Sequence, residues 1–246
     1  GTAGGVRHDP FWTHDALMGH AEAAGLRSRF YLLSGTARPG LDGNYALRDR
    51  ALRQLAKRVA ERGHQLGVHG SYDSLWVRDA LREEAVRLRE VADGAGVRVE
   101  PLAARAHYLR WDPLYSRRRL VNAGIGLDES LGFAEHVGFR TGSAQVFPAF
   151  DLAARAPVAL EEAPLVVMDQ SLIHPKYMGL DLDHPDTIDR VVRLHARAAV
   201  HGGRFSVLWH NSAYSAEAAR FLDRILAPMT GQRARARAHS DSSADA

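Results

Sequence analysis

The sequence contains no cysteine in its 246 residues. Disulfide bonds and thiolate metal sites are therefore excluded, and any bound metal must be held by histidine, aspartate or glutamate. No apolar run reaches the roughly 18 residues that a membrane span requires. No signal peptide is visible either, so the sequence favours the cytoplasm as the location but does not fix it.

The chain also has little net charge, +3 at pH 7. A nucleic-acid-binding protein would be expected to cluster basic residues with aromatic residues on one face, and no such cluster is evident, so we expect no nucleic-acid partner. Residues 231–246 are small, polar and charged, which predicts a disordered, solvated tail. Residues 1–230 are long enough to form one domain with a substantial core.

Two common sequence signatures are missing as well. There is neither a glycine-rich phosphate loop before a helix nor a Gly-x-Ser-x-Gly elbow. The chain instead alternates short apolar runs with segments of helical apolar spacing, which predicts an α/β fold with a parallel sheet or barrel. Strands are predicted at residues 29–33, 65–68, 102–104, 126–130, 163–168 and 206–209.

Two histidines close apolar runs that are far apart in the sequence. His69 ends residues 64–69, and His210 ends residues 205–210. In barrels of alternating strands and helices, the active site is built from the carboxyl ends of the strands. The pair therefore indicates metal binding or proton transfer. Either histidine taken alone is as readily explained as a hydrogen-bonded structural residue.

An acidic side chain follows the first of these histidines at a spacing of four. Asp73 and His69 can meet one cation on a helical turn or a tight loop, and a neutral imidazole with a carboxylate suits zinc and similar divalent ions. The alternative is that Asp73 caps the helix that follows, because aspartate is a favoured N-cap residue. The sequence leaves both interpretations open.

Two further candidates lie at predicted strand ends. Arg105 follows the strand at residues 102–104, where its planar guanidinium can anchor a carboxylate, although a solvated surface position is the alternative. Asp128 closes the next strand, where it can orient an arginine or a histidine. Turn formation explains Asp128 equally well.

Several segments together resemble a known family. Residues 63–72 (GHQLGVHGSY) resemble the second motif of the polysaccharide deacetylases, carbohydrate esterase family four, and residues 208–211 (LWHN) resemble their closing motif. The segments DPFW, RAHYLR, DESLGF and GFR resemble a divergent bacterial branch of that family, and they begin at residues 9, 105, 128 and 138. The resemblance extends over roughly residues 9–227.

This resemblance implies a distorted (β/α) barrel and metal-dependent removal of acetyl groups from sugars. It implies that His69 is the first metal-binding histidine and His210 the general acid. It also implies that Arg105 braces the aspartate that acts as base, and that Asp128 is a supporting carboxylate. The second metal-binding histidine of the family falls at Asp73 in this sequence.

The first motif of the family, an aspartate pair on the opening strand, is not evident, so we expect a barrel that lacks its first strand. Asp9 is a single aspartate followed by proline. The sequence therefore predicts a hydrolase that depends on a divalent metal, zinc, and removes acetyl groups from a carbohydrate. N-acetyl groups are favoured over O-acetyl groups. The alternative is a catalytically inactive, deacetylase-like glycan-binding domain.

Overall fold

A computed structural model describes residues 9–35, 38, 40–43, 47 and 49–242 of the chain, with side chains to residue 229. Helices and strands alternate along most of it. The helices are α1 (His14–Ala23), α2 (Arg50–Glu61), α3 (Ala80–Gly94), α4 (Ser116–Asn122), α5 (Asp169–Ile173), α6 (Pro185–Val200) and α7 (Ala216–Ser242). The strands are β1 (Arg29–Leu33), β2 (Gln65–Gly70), β3 (Ala103–Ala106), β4 (Leu127–Asp128), β5 (Phe147–Asp151), β6 (Ala156–Glu162), β7 (Val167–Met168) and β8 (Val207–Leu208).

The strands form two sheets. The larger has the order β1-β2-β3-β4-β6-β5, and the smaller pairs β7 with β8. All neighbours are parallel except β5 and β6, which form an antiparallel hairpin. The predicted α/β class with a parallel sheet is confirmed. Because parallel strands point the same way, their carboxyl ends meet at one edge of each sheet.

The described strands do not close into a barrel, because β1 and β8 are not paired with each other. A cavity of about 400 Å³ has Tyr31 and Leu32 of β1 in its wall, together with Asn211, which lies just beyond β8. Successive strand residues point to opposite faces, so a cavity that touches Tyr31 and Leu32 runs along the edge of β1 that faces away from β2. A lost first strand stays a prediction.

The hairpin of β5 and β6 was not predicted from the sequence. Its strands contain Pro148 and Pro157, and prolines within a run argue against a strand. Its turn contains no glycine. Instead, the Asp151 carboxylate accepts hydrogen bonds from the backbone N–H groups of Ala153 and Ala154, at 2.8 and 2.9 Å. The pairing thus depends on side-chain turn chemistry that a search for glycine turns overlooks.

Side chains alternate along the strands between two faces of the larger sheet. One face packs against the covering helices, and we call the opposite face the inner face. Val68 and Ala104, which are register partners, pack with Leu55 and Leu88 of the covering helices. His69 is next to Val68 in sequence and therefore points to the opposite face of the sheet. That inner face also carries a small apolar cluster of Ala103, Leu127 and Ala163, against which Tyr31 packs.

A second core lies between α5, α6 and α7. Phe221 is fully buried there. The Ser215 hydroxyl accepts a hydrogen bond from the Ala218 N–H at 3.1 Å and so caps the start of α7. His195 is buried against Phe205 and is a packed core residue. Helix α7 runs on to Ser242 and so covers part of the segment predicted to be disordered. The domain boundary at residue 230 stays a prediction.

No helix in the described part of the chain is both long and apolar enough to cross a membrane.

Candidate active site

His69 and Arg105 lie side by side near the carboxyl ends of β2 and β3, as register partners. The His69 ring is hydrogen-bonded through Nδ1 to the backbone carbonyl of Arg105, at 2.9 Å. A carbonyl only accepts, so Nδ1 carries the proton and Nε2 keeps its lone pair. Burial, together with the charge of His107, lowers the pKa of His69 to about 3. His69 is therefore a neutral imidazole near neutral pH.

A second imidazole, His107, lies against His69, with ring centroids 4.8 Å apart. It begins the single 3₁₀ turn that follows β3. Its Nδ1 is 2.7 Å from the carboxylate of Asp42, which also accepts a hydrogen bond from the Tyr72 N–H. The sequence resemblance includes His107 in the RAHYLR segment but assigns it no role. The contact with Asp42 spans 65 residues and leaves no local sequence signal.

His210 follows β8, and its partner is Asp169, which follows the adjacent strand β7. One carboxylate oxygen of Asp169 lies 2.6 Å from His210 Nδ1, and the other accepts the His210 backbone N–H at 2.7 Å. Asp169 is fully buried, whereas the His210 side chain is 35% exposed. The buried carboxylate thus fixes the ring through Nδ1 and leaves Nε2 available. His210 lies near enough to His69 to contribute to the lowering of its pKa.

Asp169 was not predicted as a site residue. The signal was nevertheless present, because an aspartate directly follows the predicted strand at residues 163–168. Asp128 was noted for the same reason.

Arg105 is buried and contacts Glu129 rather than an aspartate. Its Nε donates to the Glu129 carbonyl at 3.0 Å, and its Nη2 lies 3.5 Å from the Glu129 carboxylate. Arg29 and Arg204 also pair with that carboxylate, and Tyr31 donates its hydroxyl to it. Burial alone would raise the pKa of Glu129, but the charges of the three arginines lower it overall. Arg105 therefore belongs to a buried cluster that holds Glu129 ionised.

Asp128 is not brought together with His69 and Arg105. It pairs in register with Ala104 and Glu162, which places it on the core face of the sheet. Its carboxylate accepts hydrogen bonds from Trp111 Nε1 at 3.1 Å and from the Ser130 hydroxyl at 2.5 Å. The predicted site residue Asp128 therefore lies on the opposite face of the sheet from His69 and Arg105.

Comparison with solved structures identifies the fold that carries this site. No protein-family model and no curated protein matches the chain. The crystal structure of a putative polysaccharide deacetylase from Mycobacterium smegmatis matches it with a TM-score of 0.60 and 18% sequence identity, over 90% of this chain and 71% of that chain. The chain has the polysaccharide deacetylase fold. The resemblance indicated by the sequence motifs is thus confirmed at the level of the fold.

A second solved structure is more distant. The Bc1960 peptidoglycan N-acetylglucosamine deacetylase, in complex with 4-naphthalen-1-yl-N-oxidanyl-benzamide, matches with a TM-score of 0.37 and 15% identity. The match covers 79% of each chain. A likeness this low adds nothing to the description of the site.

Within the deacetylase fold, the predicted metal ligand Asp73 is paired with two arginines. Asp73 pairs through one oxygen with Arg38 at 2.6 Å and through the other with Arg110 at 3.2 Å. It does not cap a helix either, because α3 begins at Ala80. Among the residues that the structure describes, no three histidine, aspartate or glutamate side chains are grouped so as to hold a metal ion.

Proposed function

We propose that the protein is a hydrolase that removes acetyl groups from a carbohydrate, with N-acetyl groups favoured over O-acetyl groups. The observation that carries the proposal is the pair of His210 and Asp169 at the carboxyl ends of adjacent strands. In a chain with the polysaccharide deacetylase fold, that is where catalytic groups are expected. His69 lies close by as a neutral imidazole.

In this proposal, His210 acts as the general acid. Hydrolysis of an N-acetyl group adds the hydroxyl of a water molecule to the acetyl carbon and breaks the bond from that carbon to nitrogen, so that acetate forms. The departing nitrogen must receive a proton to leave as an amine. Protonated His210 donates that proton from Nε2, because Nδ1 is held by the Asp169 carboxylate. Asp169 is a positioning residue: it orients the ring and stabilises the charged imidazolium. A positioned acid typically contributes about 10²–10⁴-fold to the rate.

The dependence on a divalent metal, with zinc as the ion, stays a prediction. When bound, a zinc ion would supply a water of lowered pKa and would polarise the acetyl carbonyl. His69 fits such an ion, because its free nitrogen carries a lone pair and its Nδ1 is tied to a carbonyl, as is usual for metal-binding histidines. Asp73 does not fit, because both of its oxygens face guanidinium groups.

A second candidate function is a catalytically inactive domain that binds glycans. It is favoured by the lack of a three-residue metal group in the described part of the chain. It is also favoured by the position of Asp128, which lies on the core face of the sheet and not beside His69. The two candidates predict the same ligand class but differ in turnover.

Acetate release from a chitooligosaccharide tests the proposal. The wild-type protein should release acetate, and His210→Gln should lose about 10²-fold or more of kcat. His201→Gln is a matched control, because His201 precedes β8 and so lies at the opposite end of the strand from His210. Binding without acetate release by the wild-type protein would identify the glycan-binding alternative. Full activity of His210→Gln would remove His210 from the mechanism.

A further inference from the structure

Three hydrogen bonds join the loop after β8 to the segment that leads into and forms α1. The Thr13 hydroxyl donates to the Asn211 carbonyl at 3.0 Å, and the Asn211 side-chain amide donates to the Phe11 carbonyl at 2.9 Å. His20 Nε2 lies 2.9 Å from the Tyr214 hydroxyl. The residues in each pair are between 194 and 200 positions apart in the sequence. We call Phe11, Thr13 and His20 together the N-terminal clamp.

The clamp contacts both ends of the turn that directly follows His210. This turn is a single 3₁₀ turn, Asn211–Ala213, with His210 before it and Tyr214 after it. The backbone carbonyl and the side chain of Asn211 are both bound by the clamp. A shift of the turn would change the direction of the backbone at His210. It would therefore also change the two contacts that His210 makes with Asp169.

On the side of β1, the turn borders a cavity. In the described part of the chain, β1 and β8 are not paired with each other, and the cavity of about 400 Å³ has Phe11, Trp12 and Asn211 in its wall. Residues that line a cavity lose packing contacts on that side. The position of the turn therefore depends on its hydrogen bonds to the clamp, which span the gap between the two sheets.

The clamp itself is fixed to the rest of the fold through α1. Met18 is fully buried in the core that contains α2 and α3, whereas Leu17 packs against the second core. Arg62 of α2 binds the carboxylates of Asp15 and Glu22, at 3.0 and 2.6 Å, one near each end of α1. A helix that is anchored along its length can hold a neighbouring turn in one position.

His20 is oriented in turn by α7. Its Nδ1 lies 2.6 Å from the Asp223 carboxylate, while its Nε2 faces the Tyr214 hydroxyl. A carboxylate only accepts, so Nδ1 carries a proton, and Nε2 of the neutral ring accepts from Tyr214. Burial and the charge of Asp223 raise the pKa of Tyr214, which keeps the hydroxyl protonated and able to donate. The His20 side chain is only 13% exposed, so water has little access to this contact.

We infer that the N-terminal clamp positions His210 as the general acid, because it holds the turn after β8 and thereby keeps the imidazole at the Asp169 carboxylate. Thr13, His20 and Tyr214 are positioning residues in this account: they act on the backbone that follows His210 and not on its ring.

The inference rests on the proposed function and deepens it, because His210 is the acid of that function. It also gives a role to the DPFW segment, residues 9–12, whose third residue supplies the carbonyl that binds Asn211. The alternative is that the three hydrogen bonds only stabilise the fold. A stabilising contact would change the midpoint of unfolding and leave His210 as it is, whereas a positioning contact changes His210 itself.

The first test is the NMR signal of the His210 Nδ1 proton, which the Asp169 carboxylate holds. The signal is identified by its absence from His210→Gln. Thr13→Val and Tyr214→Phe each remove one hydroxyl and keep the shape of the side chain. In each variant, exchange of this proton with water should be roughly three- to tenfold faster, the factor expected for loss of one hydrogen bond. Thr13→Ser keeps the hydroxyl and should exchange like the wild-type protein.

Thr141→Val is the matched control. It also removes a hydrogen bond from a threonine hydroxyl to a backbone carbonyl, that of Ser143 at 2.9 Å, but it lies in the loop between β4 and β5. The exchange of the His210 proton should not change in this variant. Thermal unfolding of all the variants shows how much of any effect comes from stability.

The second test is turnover of an acetylated chitooligosaccharide. Thr13→Val and Tyr214→Phe should each lower kcat by the same factor of roughly three to ten and leave KM unchanged, because only the acid is displaced. In a His210→Gln background, neither substitution should lower kcat further, because the clamp acts through His210.

The inference can fail independently of the proposed function. Faster exchange in Thr13→Val and Tyr214→Phe, without acetate release by the wild-type protein, would support the clamp and reject the proposed catalysis. Acetate release with exchange and kcat equal in the wild-type protein and the two variants would reject the inference alone. A loss of kcat that persists in the His210→Gln background would also overturn it, as would a lower unfolding midpoint with an unchanged His210 signal.

Discussion

The Asp169 carboxylate contacts His210 twice, through the ring Nδ1 at 2.6 Å and through the backbone N–H at 2.7 Å. The two contacts fix both the position of the loop after β8 and the orientation of the imidazole. One buried carboxylate thus couples the ends of β7 and β8. A substitution at Asp169 can therefore test the contribution of the carboxylate while the His210 side chain is retained.

We expect Asp169→Asn to lower kcat by about 10²-fold while changing KM little, because the amide keeps the shape but not the charge that stabilises the imidazolium. Steady-state kinetics on an acetylated chitooligosaccharide measures both constants. Thermal unfolding of the same variant shows whether the fold is retained. A kcat equal to that of the wild-type protein would mean that Asp169 has only a structural role.

His69 should remain neutral throughout the physiological pH range. Burial, aided by the charge of His107, lowers its pKa from 6.5 to about 3. NMR of the imidazole nitrogens should therefore show the tautomer with a proton on Nδ1, without titration between pH 5 and pH 8. Because the folded pKa is the lower one, the contribution to stability is present above 6.5 and is lost as the pH falls toward 3. In His69→Gln, the free energy of unfolding should depend less on pH in that window than it does in the wild-type protein. The control His201→Gln should keep the pH dependence of the wild-type protein.

The sequence predicts the strands of the fold better than the contacts within the site. Apolar runs and helical spacing are local, so β1, β2, β3 and β8 could be predicted from them. The positions of His69 and His210 near strand ends could be predicted for the same reason, because the two residues end such runs.

The pairing of His107 with Asp42 and that of His210 with Asp169 could not be predicted. Asp42 and His107 are 65 residues apart in the sequence, and Asp169 and His210 are 41 residues apart. Only the fold brings each pair together. The placement of Asp128 was missed for a related reason: a strand end determines the edge of the sheet, but only the register determines the face.

Zinc binding should depend on His69 and not on Asp73. His69→Ala removes a neutral imidazole with a free nitrogen, whereas Asp73→Asn removes a carboxylate that is already paired with Arg38 and Arg110. We expect calorimetric titration with zinc to show a clear loss of affinity in His69→Ala and little change in Asp73→Asn. Equal losses in the two variants would restore the predicted ligand pair. No zinc binding by the wild-type protein would contradict metal dependence for this chain.

The buried carboxylates of Asp128 and Glu162 should make the fold sensitive to alkaline pH. The two residues are register partners, and both are buried. Burial and the neighbouring Asp128 raise the pKa of Glu162 from 4.5 to about 8, and burial raises that of Asp128. The pair is therefore best described as sharing one proton near neutral pH, with Arg117 donating to Glu162 at 2.8 Å.

The sign of the effect follows from the raised pKa of Glu162. The folded state holds a proton that the unfolded chain releases above 4.5, so this stabilisation is complete below 4.5 and is lost as the pH rises through about 8. Glu162→Gln keeps a neutral group of the same shape and should be more stable than the wild-type protein at pH 9, by about 1–3 kcal/mol. Denaturant unfolding at pH 6 and pH 9 measures the difference. Glu161→Gln, next to it on the exposed face of β6, should show no such gain. If the two variants lose stability equally between pH 6 and pH 9, the shared proton is not the source of the alkaline sensitivity.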